Sequence, residues 1–174
     1  MYKKICEKEY DFLIWIQNHR TKTLNIIFRI ITHSCDFGTI WILAALIMIF
    51  SKKYSRTGFA AIISLTASLI VCNAVLKNIF KRIRPYDRHE MISRIISQKT
   101  DSSFPSGHSS ASFAAAVTFL LSPQINILFG IVSVILAIFT AFSRLYVGVH
   151  YPSDVAAGSL LGIIISVFVS IFIF

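Results

Sequence analysis

Two stretches of this chain, residues 125–142 and 155–174, carry no charged side chain at all. A helix formed from either would be apolar around its whole circumference, and a water-soluble protein of 174 residues has too little interior to hide two of them. A bilayer removes the difficulty, because about 20 consecutive apolar residues cross its hydrocarbon core. Composition agrees: 55% of residues are hydrophobic and only 14% are charged, far from the soluble balance. Inside a bilayer every backbone amide must be bonded within the protein, so apolar runs of this length are read as helices.

The predicted fold is therefore all-α, a polytopic membrane helix bundle. About five transmembrane helices are expected, or six if residues 24–50 are broken into two pieces, preceded by an N-terminal interfacial helix. Residues 1–23 alternate Phe12, Leu13, Trp15 and Ile16 with Asp11, Gln17, His19 and Arg20, the pattern of a helix lying at the interface with Trp15 as anchor. The first span falls in 24–50, where Arg29, His33 and Asp36 predict a break near Cys35–Gly38. A second runs from Thr57 to about Ile83, stopped by Pro85. The third opens at Pro105–Ser106 and ends near Ser122–Pro123, the fourth covers 124–142, and the fifth starts at Pro152, a favourable first-turn residue. Between the second and third, Met91, Ile92, Ile95 and Ile96 recur at helical spacing against Arg88, Arg94 and Lys99, predicting a short surface helix. Gly158 and Gly162 form a small-xxx-small pair suited to close helix packing. No composition shift divides the chain, so one domain over 1–174 is expected, with a motif-bearing core at 77–154. Residues 1–11 are charged and lack an apolar core, so no cleavable signal peptide is expected.

The formal charge is +9. The basic residues sit between apolar spans and not along a soluble helix or an aromatic-studded sheet, which argues against nucleic acid and for anionic lipid or a phosphate substrate. The three cysteines, Cys6, Cys35 and Cys72, make no CxxC pair and no metal-ligand spacing with histidine.

Three polar clusters interrupt the apolar pattern. Lys77 and Arg84 stand seven residues apart before Pro85, nearly two turns on a helix, which would put both cations on one face about 10 Å apart. Pro105-Ser106-Gly107-His108 opens a span, where unpaired amides and a glycine make a ready anion site. Ser143-Arg144 is followed by His150 and Asp154, and a carboxylate four residues from an imidazole can fix its tautomer and free the other nitrogen as a nucleophile. Each cluster alone has a plain explanation: cations snorkelling at a helix end, a serine N-cap, an interfacial loop capped by an aspartate. Ionisable groups beside spans cost about 2.5–3.5 kcal/mol each near the membrane centre, and three cations, two histidines and a carboxylate placed on one face fit phosphoryl transfer better than three coincidences. Two spans separate the loop after Pro85 from the loop around Gly148, so both emerge on the same side.

The strings KNIFKRIRP, PSGH and SRLYVGVHYPSD resemble the three ordered motifs of the type 2 phosphatidic acid phosphatase family. The resemblance covers Lys77 to Asp154. It implies a metal-independent lipid phosphate phosphatase or diphosphatase with no cofactor, in which His150 attacks phosphorus to form a phosphohistidine and Asp154 orients it. It further implies that His108 protonates the leaving oxygen and then activates water. Lys77, Arg84, Ser106, Gly107 and Arg144 would hold the phosphoryl oxygens. Small bacterial members act on undecaprenyl pyrophosphate, phosphatidylglycerophosphate, phosphatidate or lipid A, and undecaprenyl pyrophosphate is favoured here for a short chain with minimal loops.

His19, His33 and His89 match no motif and are expected to be interfacial or structural. A catalytically silent lipid-phosphate binder would need the cations but not both histidines. A vanadate-dependent haloperoxidase has a similar site on a soluble chain, which this is not. Lys52, Lys53 and Arg56 place their loop in the cytoplasm by the positive-inside rule, whereas the cations of 77–99 and the basic N-terminus pull the other way. The resemblance places the site on the extracytoplasmic face of the cell membrane.

Overall fold

The structure, a computed structural model, describes residues 2–97 and 101–174, the side chains of 2–6 excepted. The described residues form helices and no strands. In chain order these are α1 (Tyr2–Asn18), α2 (Lys22–Ser34), α3 (Thr39–Ile49), α4 (Ser55–Leu69), α5 (Lys77–Phe80), α6 (Pro85–Arg88), α7 (Gly107–Leu121), α8 (Ile127–Tyr146) and α9 (Pro152–Ile173). A π-helical segment, Ile70–Leu76, joins α4 to α5 without interruption.

Among the described residues three segments are long and apolar enough to cross a membrane: Ser55–Arg88, whose continuous helix ends at Phe80, Ile127–Tyr146 and Pro152–Ile173. A fourth is obtained if Lys22–Ser34 and Asp36–Ile49, bent by 46° at their junction, count as one span. The expected five are thus not reached. The missing one is α7, whose 15 residues rise about 22 Å, short of the roughly 30 Å hydrocarbon core. Its sequence also departs from a lipid-facing helix: Ser109, Ser110, Ala111, Ser112, Ala114 and Ala115 are all buried. Small side chains let α7 sit inside the bundle, against α4, α8 and α9.

Glycines set that packing. A Cβ on Gly158 would collide with the Ser106 carbonyl, and one on Gly162 with the Ser110 carbonyl, so the small-xxx-small pair of α9 rides directly on the first turns of α7. By contrast α8 and α9 present Leu128, Ile135, Ile138, Leu160, Ile164 and Phe168 outward, a lipid-facing surface rather than a soluble one.

The 46° bend lies at the Cys35 junction, within the Cys35–Gly38 stretch where the sequence predicts a break. Phe37 (φ 55°) and Gly38 (φ 76°) just after it both take left-handed backbone, which Gly38 tolerates and an aromatic residue rarely does. The surface helix predicted from Met91, Ile92, Ile95 and Ile96 is absent. Only α6 is helical in that region, and residues 91–97 are irregular; Lys99 lies outside the described residues. Ile92 and Ile96 are instead buried with Leu13 and Ile16 of α1 against Val147 and Val149, while the Ile95 amide donates to the Val147 carbonyl at 3.2 Å. Their apolar character serves this cluster and not a helical face. The same cluster docks α1 onto the end of the bundle that carries the motifs, leaving Trp15 56% exposed.

Candidate active site

The second span ends differently from its predicted course. A continuous helix through Arg84 would separate the two cations by about 10 Å. Instead α5 stops at Phe80, Lys81 turns left-handed (φ 44°), and Arg84 is an extended residue preceding Pro85. The fold-back brings both cations to one carboxylate: Lys77 Nζ donates to Asp101 Oδ2 at 2.6 Å and Arg84 Nη2 to Asp101 Oδ1 at 2.5 Å. Arg84 is almost wholly buried, with Nε on the Asp101 carbonyl at 3.1 Å and Nη1 on the Val149 carbonyl at 2.9 Å. Burial pushes the Asp101 carboxyl up, but the bonds from Lys77 and Arg84 outweigh it and hold it below the usual aspartate range.

His150 lies in the link between α8 and α9 and is 2% exposed. Its Nδ1 donates to the Ser103 carbonyl at 2.8 Å, which fixes the tautomer and leaves Nε2 as the lone-pair nitrogen. Nε2 faces Arg84 Nη1 at 3.4 Å. Asp154 Oδ2 stands 3.6 Å from Nδ1, too long for a hydrogen bond. The carboxylate therefore acts on the ring through its charge, while the Ser103 carbonyl takes the proton that the sequence assigns to Asp154. Burial pushes His150 well below its ordinary 6.5, to about 3, with Arg84 and Arg144 adding to the effect and Asp154 opposing it. The ring is thus neutral near pH 7.

Asp154 is fully buried and saturated. Oδ2 accepts the Tyr151 amide at 2.9 Å, capping α9, and Oδ1 accepts Arg82 Nη1 at 2.6 Å. Arg82 in turn donates to Glu9 Oε2 at 2.7 Å and lies over the Tyr151 ring at 4.0 Å. Glu9 also accepts the Ser153 amide at 2.8 Å. Helix α1 thereby contributes to the support behind His150.

His108 sits in the first turn of α7, and its Nε2 bonds Asp36 Oδ1 at 2.9 Å. Arg144, at the end of α8, is wholly buried and bonds the Thr32 hydroxyl. Ser106 is also buried, but its Oγ accepts from the Ser109 amide at 3.4 Å and the Ser109 hydroxyl at 2.8 Å, the N-cap arrangement.

A cavity of about 370 Å³ gathers most of these groups. Lys77, Arg84, Gly107, His108, Arg144 and His150 all line it, as do Asp36 and Asp101. Of the predicted site residues, Ser106 and Asp154 stand behind the wall. The buried His150, the partly buried His108 and three cations around one cavity can bind a tetrahedral anion and present nucleophile and acid to it. Residues 57–174 match the PAP2 superfamily. The chain belongs to the PAP2 superfamily. It is 36% identical over 124 residues to the undecaprenyl-diphosphatase of Sulfolobus acidocaldarius, a match covering 71% of this chain but only 58% of that protein. To the undecaprenyl-diphosphatase BcrC of Bacillus subtilis it is 31% identical over 150 residues, 85% of this chain and 74% of that one. The transmembrane PAP2 type phosphatidylglycerolphosphate phosphatase of Bacillus subtilis superposes with a TM-score of 0.77 over 97% of this chain and 86% of that one. At 24% identity that likeness is one of fold. The PAP2 match begins at residue 57, so Glu9 and Asp36 lie outside it.

Four residues around the site escaped the sequence reading: Glu9, Asp36, Arg82 and Asp101. Asp36 was visible as a charge in an apolar span, and Arg82 as one of four cations in eight residues. Neither spacing nor periodicity marks Glu9 or Asp101.

Proposed function

We propose that this chain is an integral membrane lipid phosphatase that hydrolyses a phosphomonoester or pyrophosphate through a phosphohistidine on His150, with undecaprenyl pyrophosphate to undecaprenyl phosphate as its reaction. The observation that carries the reading is the single cavity lined by both His108 and His150 together with Lys77, Arg84 and Arg144. A protein that only bound lipid phosphate would need the cations and not two histidines.

In this reading the three cations and the Gly107 amide hold the phosphoryl oxygens, displacing Asp101. His150 Nε2, with its partner nitrogen tied to Ser103, attacks phosphorus in line. Asp154 stabilises the positive charge that develops on the ring, and Arg82 and the Tyr151 amide hold Asp154. His108 protonates the leaving oxygen and then takes a proton from the hydrolytic water. Ser106 acts by capping α7 and so placing Gly107 and His108.

The two diphosphatase relatives support undecaprenyl pyrophosphate as the lipid. Five crossings are proposed, with α7 as a short fifth span sheathed by its neighbours, α1 at the interface, and the site on the extracytoplasmic face of the cell membrane. The whole of 1–174 acts as one domain, since Glu9 at one end and Asp154 at the other share Arg82. Purified protein in detergent, given undecaprenyl pyrophosphate, phosphatidylglycerophosphate, phosphatidate and lipid A in parallel, is expected to turn over the first fastest. Turnover of none of them would remove the hydrolase reading, and a faster glycerolipid would replace the substrate alone.

A further inference from the structure

His108 is surrounded by positive charge. Lys77 from the start of α5, Arg84 from the fold-back before α6 and Arg144 from α8 line the same cavity, with His150 from the α8–α9 link. A cavity built to bind an anion in this way opposes a proton on His108 before the substrate arrives, yet the proposed reaction needs His108 as an acid. The carboxylates lining the cavity are Asp36 and Asp101. Asp101 is engaged by Lys77 and Arg84. Asp36 is bonded to His108 itself.

The backbone around Asp36 is arranged to put it there. The helical pair α2–α3 breaks beside this residue, after Cys35, and left-handed backbone follows at Phe37, a residue type that rarely adopts it. Asp36 uses both oxygens: Oδ1 accepts from His108 Nε2 at 2.9 Å and Oδ2 from His33 Nδ1 at 2.7 Å. His33 itself is half exposed. The three form a row, imidazole–carboxylate–imidazole, from the cavity to the surface of the protein.

We propose that Asp36 is the positioning residue of His108, holding Nε2–H so that Nδ1 performs the acid–base step, with His33 bracing the carboxylate from outside. The inference rests on the phosphatase reading above. In the first half-reaction the His150 Nε2–phosphorus bond forms as the phosphorus–oxygen bond to the lipid breaks, and the proton on His108 Nδ1 passes to the departing oxygen. His108 is left neutral, its Nε2–H still on Asp36. In the second half-reaction a water proton passes to Nδ1 as the water oxygen bonds phosphorus and the His150–phosphorus bond breaks. Inorganic phosphate leaves and the imidazolium is restored. The dyad mirrors His150, whose Nδ1–H is likewise fixed by an oxygen acceptor while the other nitrogen works.

The test is the pH profile of kcat/KM of Asp36→Asn, Asp36→Glu and His33→Gln in detergent, on the lipid that the wild type turns over fastest. Asparagine keeps the shape but not the charge, so its alkaline limb is expected to move about one pH unit down, with kcat falling about 10- to 100-fold. Asp36→Glu is expected to restore most of that limb, and His33→Gln to cause a loss of less than about tenfold with the limb in place. An alkaline limb unmoved in Asp36→Asn, whatever the loss of rate, would overturn the inference and leave Asp36 as a structural cap of the bend. A wild type that turns over no lipid would instead remove the proposed function, and this inference with it.

Discussion

The Lys77 ammonium and the Asp101 carboxylate stand 2.6 Å apart on the wall of the cavity that both histidines share. Asp101 bridges Lys77 to Arg84 with its two oxygens, the manner in which two oxygens of a phosphoryl group would be held. In the proposed reaction, substrate and Asp101 would therefore compete for the same cations. Its carboxylate is 42% exposed, which keeps the competition modest. Asp101→Asn is expected to lower KM about fivefold, the equivalent of about 1 kcal/mol, and to tighten inhibition by inorganic phosphate. A rise in KM would mean that Asp101 orders the cations for the substrate and does not stand in its place.

Neutral burial of His150 has a consequence for stability. The ring takes up a proton near its ordinary 6.5 when unfolded but only near 3 when folded. The stability it contributes is complete above about pH 6.5 and is lost progressively as pH falls below that. Thermal unfolding in detergent between pH 7.5 and 4.5 should therefore fall more steeply for the wild type than for His150→Gln. Parallel slopes would show that the ring is not buried neutral.

Arg82 holds two buried carboxylates, Glu9 and Asp154, and removing it leaves both without their cation. Arg82→Ala is expected to cost about 3 kcal/mol of stability, seen as a lowered midpoint of thermal unfolding in detergent. It should also lower kcat, because Asp154 loses its anchor behind His150. Arg82→Lys, which cannot span both carboxylates with a fork, should fall between. An unchanged midpoint in Arg82→Ala would contradict the assigned contacts.

How much of this was legible in the sequence depended on the kind of signal. Lys77, Arg84, Gly107, His108, Arg144 and His150 stand in compact strings, and all six line one cavity. The long spans α8 and α9 follow from uncharged runs, and the bend within Cys35–Gly38 from charges inside an apolar stretch. Helical arithmetic failed where the chain was not helical: Lys77 and Arg84 meet through a left-handed turn at Lys81, and Ile92 and Ile96 serve a tertiary cluster with α1. Hydropathy likewise sees residue type and not depth, so α7 read as a span although its serines and alanines are sheathed by other helices. Partners such as Glu9 with Arg82, 73 residues apart, are products of the fold and leave no local pattern.

Gly158 and the Ser106 carbonyl define how closely α9 approaches α7. Gly158→Ala places a methyl group against that backbone, which cannot yield as a flexible side chain would. A loss of about 1–3 kcal/mol is expected, with activity falling further than stability because Gly107 and His108 follow directly on Ser106. Gly148→Ala, which meets the Ser93 carbonyl and is strained further by its left-handed φ of 80°, should lower stability as well. Full activity in Gly158→Ala would contradict the α7–α9 contact.

In the proposed reaction His150 takes the phosphoryl group. Purified enzyme mixed with lipid substrate labelled on the transferred phosphorus, quenched with alkali during turnover and mapped by mass spectrometry, should carry an acid-labile, base-stable phosphate on His150. His108→Ala should slow formation of the adduct when the leaving group is an alkoxide, and His150→Ala should abolish it while still binding the lipid. A phosphorylated residue elsewhere, or turnover that persists in His150→Ala, would contradict the account.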